Sequence, residues 1–395
     1  MIPLPPPSVR SNFIRHIHLS GVTPFHIAQT IQSTLVSKLL DYKKGMPILT
    51  SHSPSVSSPT IILILRAEFS AQQDPDLKPP APIPTVLTFQ PTPVYTTGRR
   101  ELQTPLSEPF LKSLREPFLP LSTTHLPTIR KPFSTSSKKE QIADVVQTPR
   151  GGLITFHGPG QLVIYPIIDL LASRNLGAKC YVNLLEESTI RLLHKMGLEI
   201  LGRTENPGVW LNEGEKIASL GVHLRRNVSS YGVGLNMIME RGWWDRITAC
   251  GLDGKKIVGI DEQIPDIAKR VSANRQENWR SSYKAMLENG AAVAQTWVDE
   301  FAAGLGRLDR GEKCGGSKTA SENDIISTSD ETTTLGNVNG THWTGWEDMP
   351  ESVRNLIPFD IRGGNGLNIS TGGGYVEYRQ WRGEEKRIDG FEREF

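Results

Sequence analysis

Three side chains in this sequence could act as strong nucleophiles: Cys180, Cys250 and Cys314. Their number is odd and no CxxC pair occurs, so neither a disulfide framework nor a zinc cage is indicated. Cys250 stands apart because it lies in TACGLDGKK, between small residues and just ahead of two lysines. A free thiol is only about 3% ionised at pH 7, so a nucleophilic cysteine needs a positive charge or a base beside it. Lys216, His157, Lys255 and Lys256 are the candidates for that partner. The competing reading of any lone cysteine is a small buried hydrophobe. Cys180, in a helical context, and Cys314, in a polar tract, are read that way.

Two further stretches carry chemical signals. In Arg150 to Leu170, RGGLITFHGPGQLVIYPIIDL, a glycine pair and an HGPG turn bracket a short strand-like segment, so backbone can approach a ligand closely and His157 can orient a polar group. A hairpin corner with a packed histidine would use the same residues. It is not a phosphate loop, since no Lys follows in the Walker spacing and no GxGxxG is present. Lys216 opens KIASLGVHLRR, where strand alternation predicts Lys216, Ala218 and Leu220 on one face. A lysine among apolar neighbours is either partly desolvated or packs its stem and sends the ammonium to water. Arg225 and Arg226 read as a solvated turn.

These residues need a scaffold, and the pattern predicts one. Ile14 to Leu19 alternates as a strand, and Phe25, Ala28, Ile31, Leu35 and Leu39 then follow at helical spacing. Thr60 to Leu65 and Thr85 to Phe89 read as buried strands separated by a proline-rich loop, and strand signals return from Asp144 to Asp169. Lys179 to Met196 is a predicted helix ending before Gly197. Val209 to Leu211, Lys216 to Leu224 and Gly232 to Met239 are predicted strands, and Ala291 to Leu305 a helix. The expected organisation is an N-terminal segment at 1–13 and a catalytic domain at 14–306 with a proline-rich insertion at about 101–143. A Ser/Thr/Gly/Asn-rich tract follows at 307–348, too polar to order itself, and a charged extension at 349–395.

Composition excludes several functions. Lys and Arg number 44 against 42 Asp and Glu, a net charge of only +2, so no broad basic field is available for nucleic acid or an anionic membrane. The apolar run Ile61 to Leu65 is far short of the roughly 20 residues that a spanning helix needs. From Met1 to Leu40 there is no Asp or Glu, a faint transit-peptide composition, although Pro3, Pro5, Pro6 and Pro7 prevent an amphipathic helix at the start.

Taken together, TTGRR (Thr96 to Arg100), RGGLITFHGPGQLVIYP (Arg150 to Pro166), GVW (Gly208 to Trp210), KIASLGVHLRR (Lys216 to Arg226), YGVGLN (Tyr231 to Asn236) and ACGLDGK (Ala249 to Lys255) resemble the lipoyl(octanoyl) transferases in order and spacing. The resemblance spans roughly Ile14 to Leu305 outside the proline-rich stretch. It implies an α/β fold of the α+β type, a mixed β-sheet packed with helices as in the biotin and lipoate protein ligase catalytic domains. It also implies transfer of an octanoyl group from octanoyl acyl carrier protein to a lysine of a lipoyl domain, in 2-oxoacid dehydrogenase complexes or the glycine cleavage H protein. By the same resemblance Cys250 carries the acyl thioester and Lys216 lowers the thiol pKa and transfers protons. The family's substrate-contacting segments fall on Arg150, Gly151, Gly152, Leu153, Ile154, Thr155, Phe156 and His157, on Ser219, Leu220 and Gly221, and on Gly232, Val233 and Gly234. No metal or cofactor is implied, and a monomer is expected. Backbone N–H groups beside Gly221 or Cys250 are the expected oxyanion donors.

Where family members commonly continue with a Val-Thr-Ser type segment after the cysteine motif, this chain has KIVGIDEQ. Its insertion and tail have no counterpart in compact bacterial members, so a eukaryotic, fungal-type mitochondrial form is implied. Two alternatives compete. An ATP-dependent lipoate or biotin ligase of the same fold would need no cysteine nucleophile, and a non-catalytic scaffold would not need to keep both Lys216 and Cys250.

Overall fold

The computed structural model describes residues 14–45, 81–118, 141–172, 176–251, 253–269, 276–309 and 311–312. The expected strand Thr60 to Leu65, most of the polar tract and the C-terminal extension lie outside them. Strand β1 (Arg15–Thr23) leads through Pro24, whose fixed φ suits a helix start, into α1 (Phe25–Lys43). The five apolar residues predicted at helical spacing are all buried on α1. Then come β2 (Thr85–Pro91), β3 (Val94–Thr97), the short helix α2 (Glu108–Leu114), β4 (Asp144–Gln147), β5 (Thr155–His157) and β6 (Gln161–Ile167). The helix α3 (Ala178–Lys195) stops at Met196 and Gly197, as its glycine predicts. Strands β7 (Val209–Asn212), β8 (Glu215–Arg225) and β9 (Val228–Asn236) follow, then α4 (Arg241–Trp244) and the two-residue β10 (Lys256–Ile257). Helices α5 (Ile264–Lys269), α6 (Gln276–Asn289) and α7 (Ala291–Asp309) close the described chain.

Seven strands form one mixed sheet in the order β1-β2-β6-β9-β8-β10, with β7 on β8, and β4-β3-β5 form a second, small one. Helices cover both faces of the large sheet, which is why its central strands are apolar on both sides rather than alternating. On β6, Leu162 and Ile164 enter a core built with α3, α6 and α7, while Val163, Tyr165 and Ile167 enter a second core built with α1. Cys180 packs partly buried against the first core, as its helical context predicts, but as half of a disulfide; Cys250 is the free thiol among the described residues.

A third cluster joins the small sheet to the segment after β9. Phe156 stacks on Trp243 there and meets Tyr95 at a tilt and Trp244 edge-on, and the Phe118 ring centroid lies 4.6 Å from that of Trp243. Leu114 on α2 is fully buried in the same cluster. The stretch expected to be insertion from Glu101 onward therefore contributes core residues up to Phe118. Pro109 sits in the first turn of α2, where a missing N–H costs no hydrogen bond.

Candidate active site

The ACG motif forms a single tight turn, Ala249–Gly251. Cys250 is left-handed there, with φ 57° and ψ 15°, a conformation L-residues other than Gly rarely hold. Its N–H donates to the Ile154 carbonyl at 2.9 Å. Gly251 is left-handed as well, a conformation that favours glycine, and a Cβ on it would fall 2.5 Å from Leu153 Cδ1 and push that side chain aside. The thiol is half-buried and points at β8, with Sγ 3.9 Å from Ser219 Oγ.

Lys216 reaches the same place through an irregularity. The β7–β8 register passes from Val209 opposite Ala218 to Trp210 opposite Lys216, so one step on β7 matches two on β8. Such a bulge breaks alternation and re-aims a side chain. Ala218 and Leu220 pack on the first core, and Lys216, beyond the bulge, lies over the Trp210 ring with its ammonium 5.3 Å from the centroid. Burial pushes its pKa down, and the Cys250 thiol and the Glu186 carboxylate pull it back up. Lys216 and Cys250, 34 positions apart, are brought together by the departing segment KIVGIDEQ. Its Lys256 and Ile257 pair in parallel with Glu215 and Lys216, as β10.

The RGG loop is tied down from several sides. The Arg150 guanidinium is buried and donates to Thr96 Oγ1 and to the carbonyls of Thr96, Gly151 and Leu153. Desolvation is the largest influence on it, and the Cys250 thiol is the first of the groups that favour its charge. Gly151 N–H bonds the Val222 carbonyl on β8 at 3.0 Å. Glu101, which sequence reasoning missed, is buried, and its carboxylate accepts from Gly98 N–H and from Ile154 N–H, one peptide away from the bond that holds Cys250. Position alone gave no signal for it, because it stands at the start of the stretch expected to be insertion.

The other expected contacts divide. Ser219, Gly221 and Gly234 lie around the thiol, Arg150 and His157, with Gly232 next to them in register. Leu220 and Val233 point into the first core, and Phe156 into the aromatic cluster, so those three can offer the site only backbone. Thr155 is buried with its hydroxyl unpartnered. His157 is held by Gln161 at 2.5 Å, Gln161 by Asn236 at 2.8 Å, and the ring stacks on Phe25. Burial, with Arg150 nearby, pushes its pKa down to about 4, leaving it neutral and engaged. Lys255 donates to the Glu213 carbonyl at the surface, and Lys256 is exposed on β10. Among the four cationic candidates, only Lys216 is coupled to the thiol in this way. The expected oxyanion donor at Cys250 is corrected: that N–H is taken by Ile154, and Gly251 N–H by Thr248. Among the described residues no group of three or more His, Cys, Asp or Glu converges as a metal ligand set would.

The chain matches the lipoyl protein ligase A/B catalytic domain over residues 80–276. It is 32% identical over 269 residues to the mitochondrial octanoyltransferase of Kluyveromyces lactis, covering 66% of this chain and 76% of that protein. The chain belongs to the octanoyltransferase family. The mitochondrial octanoyltransferase of Saccharomyces cerevisiae is 31% identical over 288 residues, covering 66% of this chain and 77% of its own length. The mixed sheet with helices on both faces is the octanoyltransferase fold. The matched region of the catalytic-domain family contains Arg150, Lys216 and Cys250 together.

Proposed function

We propose that this octanoyltransferase works through a thioester on Cys250, with Lys216 as its proton partner. The carrying observation is a free, half-buried thiol held in a left-handed turn, with a buried ammonium electrostatically coupled to it. An ammonium beside a half-buried thiolate attracts it more strongly than in bulk water, because the surroundings screen the charges less, and lysine desolvation subtracts from that gain. The Cys250 thiolate attacks the thioester carbonyl of octanoyl acyl carrier protein, and the S–C bond to the carrier breaks. Lys216 gives its proton to the departing thiolate. The neutral Lys216 amine then takes a proton from the acceptor lysine of a lipoyl domain as that amine attacks the Cys250 thioester, and the free thiolate and the ammonium are restored.

Arg150, Gly151, Gly152, Leu153, Ile154, Thr155 and His157 would flank the acyl chain, with the backbone of Ser219 to Gly221 and of Gly232 to Gly234 as its floor. At about 0.8 kcal/mol per buried methylene, an octanoyl tail contributes roughly 5 kcal/mol in such a slot. Lipoyl domains of 2-oxoacid dehydrogenase complexes or the glycine cleavage H protein are the acceptors in this reading, and mitochondria the compartment, as in the named yeast relatives. Intact-mass spectrometry after mixing with octanoyl acyl carrier protein tests it. An adduct of octanoyl mass should form, map to the Cys250 peptide and vanish in Cys250→Ala together with transfer. An adduct on Cys180, or transfer without any adduct, would overturn the thioester role.

A further inference from the structure

Glu186 is a carboxylate where a helix should present only apolar side chains. It lies on α3 in line with Thr189, Ile190 and Leu193, all buried, and is itself 6% exposed. A buried acid persists only when hydrogen-bonded or paired, and its partners point in one direction. One oxygen accepts the Gly208 N–H at 3.1 Å and the other meets Arg203 Nε at 3.1 Å. Arg203 is in turn held by Glu187 at 3.0 Å and by the Asn183 carbonyl at 2.9 Å. Gly208 separates Glu186 from Lys216. A Cβ there would fall 2.3 Å from Lys216 Cε and 3.0 Å from Nζ, and its φ of 137° is strained for any other residue. The GVW glycine thus leaves the space in which the lysine lies, while its N–H anchors the acid on the far side.

We propose that Glu186 is a positioning residue for Lys216: anchored on Gly208 and Arg203, its carboxylate is the counter-charge that keeps the ammonium over Trp210 and aimed at Cys250. The proposal rests on the roles assigned above to Cys250 and Lys216. Two titratable groups act on Lys216, the Cys250 thiol from the Ala249–Gly251 turn and Glu186 from α3. β7 and the loop before it supply only the Trp210 ring and Gly208, which do not titrate. Glu186 itself faces Arg203 and Lys216, and both oppose the effect of its burial. When the thiol is acylated its charge is gone, and Glu186 alone then favours the charged lysine. At that stage Lys216, neutral after protonating the carrier thiolate, takes up the acceptor's proton, and Glu186 supplies the counter-charge for the ammonium that forms.

The test is the pH profile of octanoyl transfer by the full chain, with octanoyl acyl carrier protein as donor. Glu186→Gln keeps an oxygen for Gly208 N–H but removes the charge. The basic limb, where Lys216 loses its proton, should move to lower pH by about one unit or more, because an opposite charge within a few ångströms is worth about that much. The KM for the donor should change less than about twofold, since the acid does not touch substrate. Glu186→Asp restores the charge at a slightly greater distance, so its limb should fall between the two. A loss of thermal stability in both variants with an unmoved limb would reduce Glu186 to a structural group and overturn the proposal. Should Glu186→Gln not fold, Glu186→Asp decides alone: its limb must still lie below that of the wild type. Lys216→Met is run alongside. If it leaves the basic limb in place, the role of Lys216 fails; if it removes the limb while Glu186→Gln does not move it, only the present proposal fails.

Discussion

Cys250 holds a backbone conformation that costs a non-glycine residue on the order of 1 kcal/mol or more, and it is fixed by one hydrogen bond to Ile154, whose own N–H is clamped by Glu101. With the thiol so fixed, its chemistry depends on the charges around it. Lys216→Met keeps a stem of similar length and removes the ammonium, so alkylation of Cys250 by iodoacetamide at pH 7 should slow by about tenfold, and transfer should fall at least as far. Lys216→Arg retains the charge but does not give up a proton in the working range, so alkylation should stay fast while transfer drops. An unchanged alkylation rate in Lys216→Met would move the activating role to Arg150, the other buried cation coupled to the thiol. Cys250 and Lys216 stand out in the sequence because each sits in a motif whose spacing is specific. Glu101 and Glu186 do not, because a single acid acquires meaning only when the fold buries it beside particular N–H groups. An acid at a core position of α3 was the one sequence signal for Glu186.

At the level of elements, helices and central strands were legible wherever burial imposed a period. The residues of α1, α3 and α7 fall at helical spacing, and β2, β6 and β9 are runs of apolar and small residues. What escaped was local: the bulge between Lys216 and Ala218, which no alternation rule foresees, and the membership of α2. Six prolines between Glu101 and Ala143 suggested a loop, yet Leu114 is fully buried and Phe118 pairs with the Trp243 ring. Leu114→Ala should therefore destabilise the protein by about 2–5 kcal/mol, the usual cost of a large-to-small change in a packed core. Urea unfolding reads this out, and a change below about 0.5 kcal/mol would show that α2 is not part of the cooperative unit. Because Phe156 shares this cluster and precedes His157, the same variant should also loosen the loop that flanks the thiol.

Across the whole molecule, buried histidines set the response to acid. His16 is pushed down to about 4 and His18 to about 3, both chiefly by burial, and His157 to about 4. His194 and His223 are displaced in the same sense. His16, His18 and His157 are neutral in the fold but have an ordinary value of about 6.5 once unfolded, so the unfolded chain binds more protons below that pH. Their stabilising contribution is complete above about pH 6.5 and is lost as pH falls toward the folded values, each histidine adding a slope of up to about 1.4 kcal/mol per pH unit. Denaturant unfolding between pH 6.5 and 5, above the ordinary carboxylate range, should show stability falling steeply. A flat response would mean that these rings charge without cost. The two-residue strand β10 has a different kind of consequence. Its ladder places Lys256 N–H on the Gly214 carbonyl at 2.8 Å and Val258 N–H on the Lys216 carbonyl at 2.9 Å, and these bonds fasten the segment that follows Cys250 to the strand bearing Lys216. Deuterium uptake at those two amides is thus a clock for the pairing of Lys216 with Cys250. If they exchange faster than Leu235 in the middle of the sheet, the pair comes apart while the sheet stays whole, and the enzyme spends a measurable fraction of its time correctly folded but unable to react.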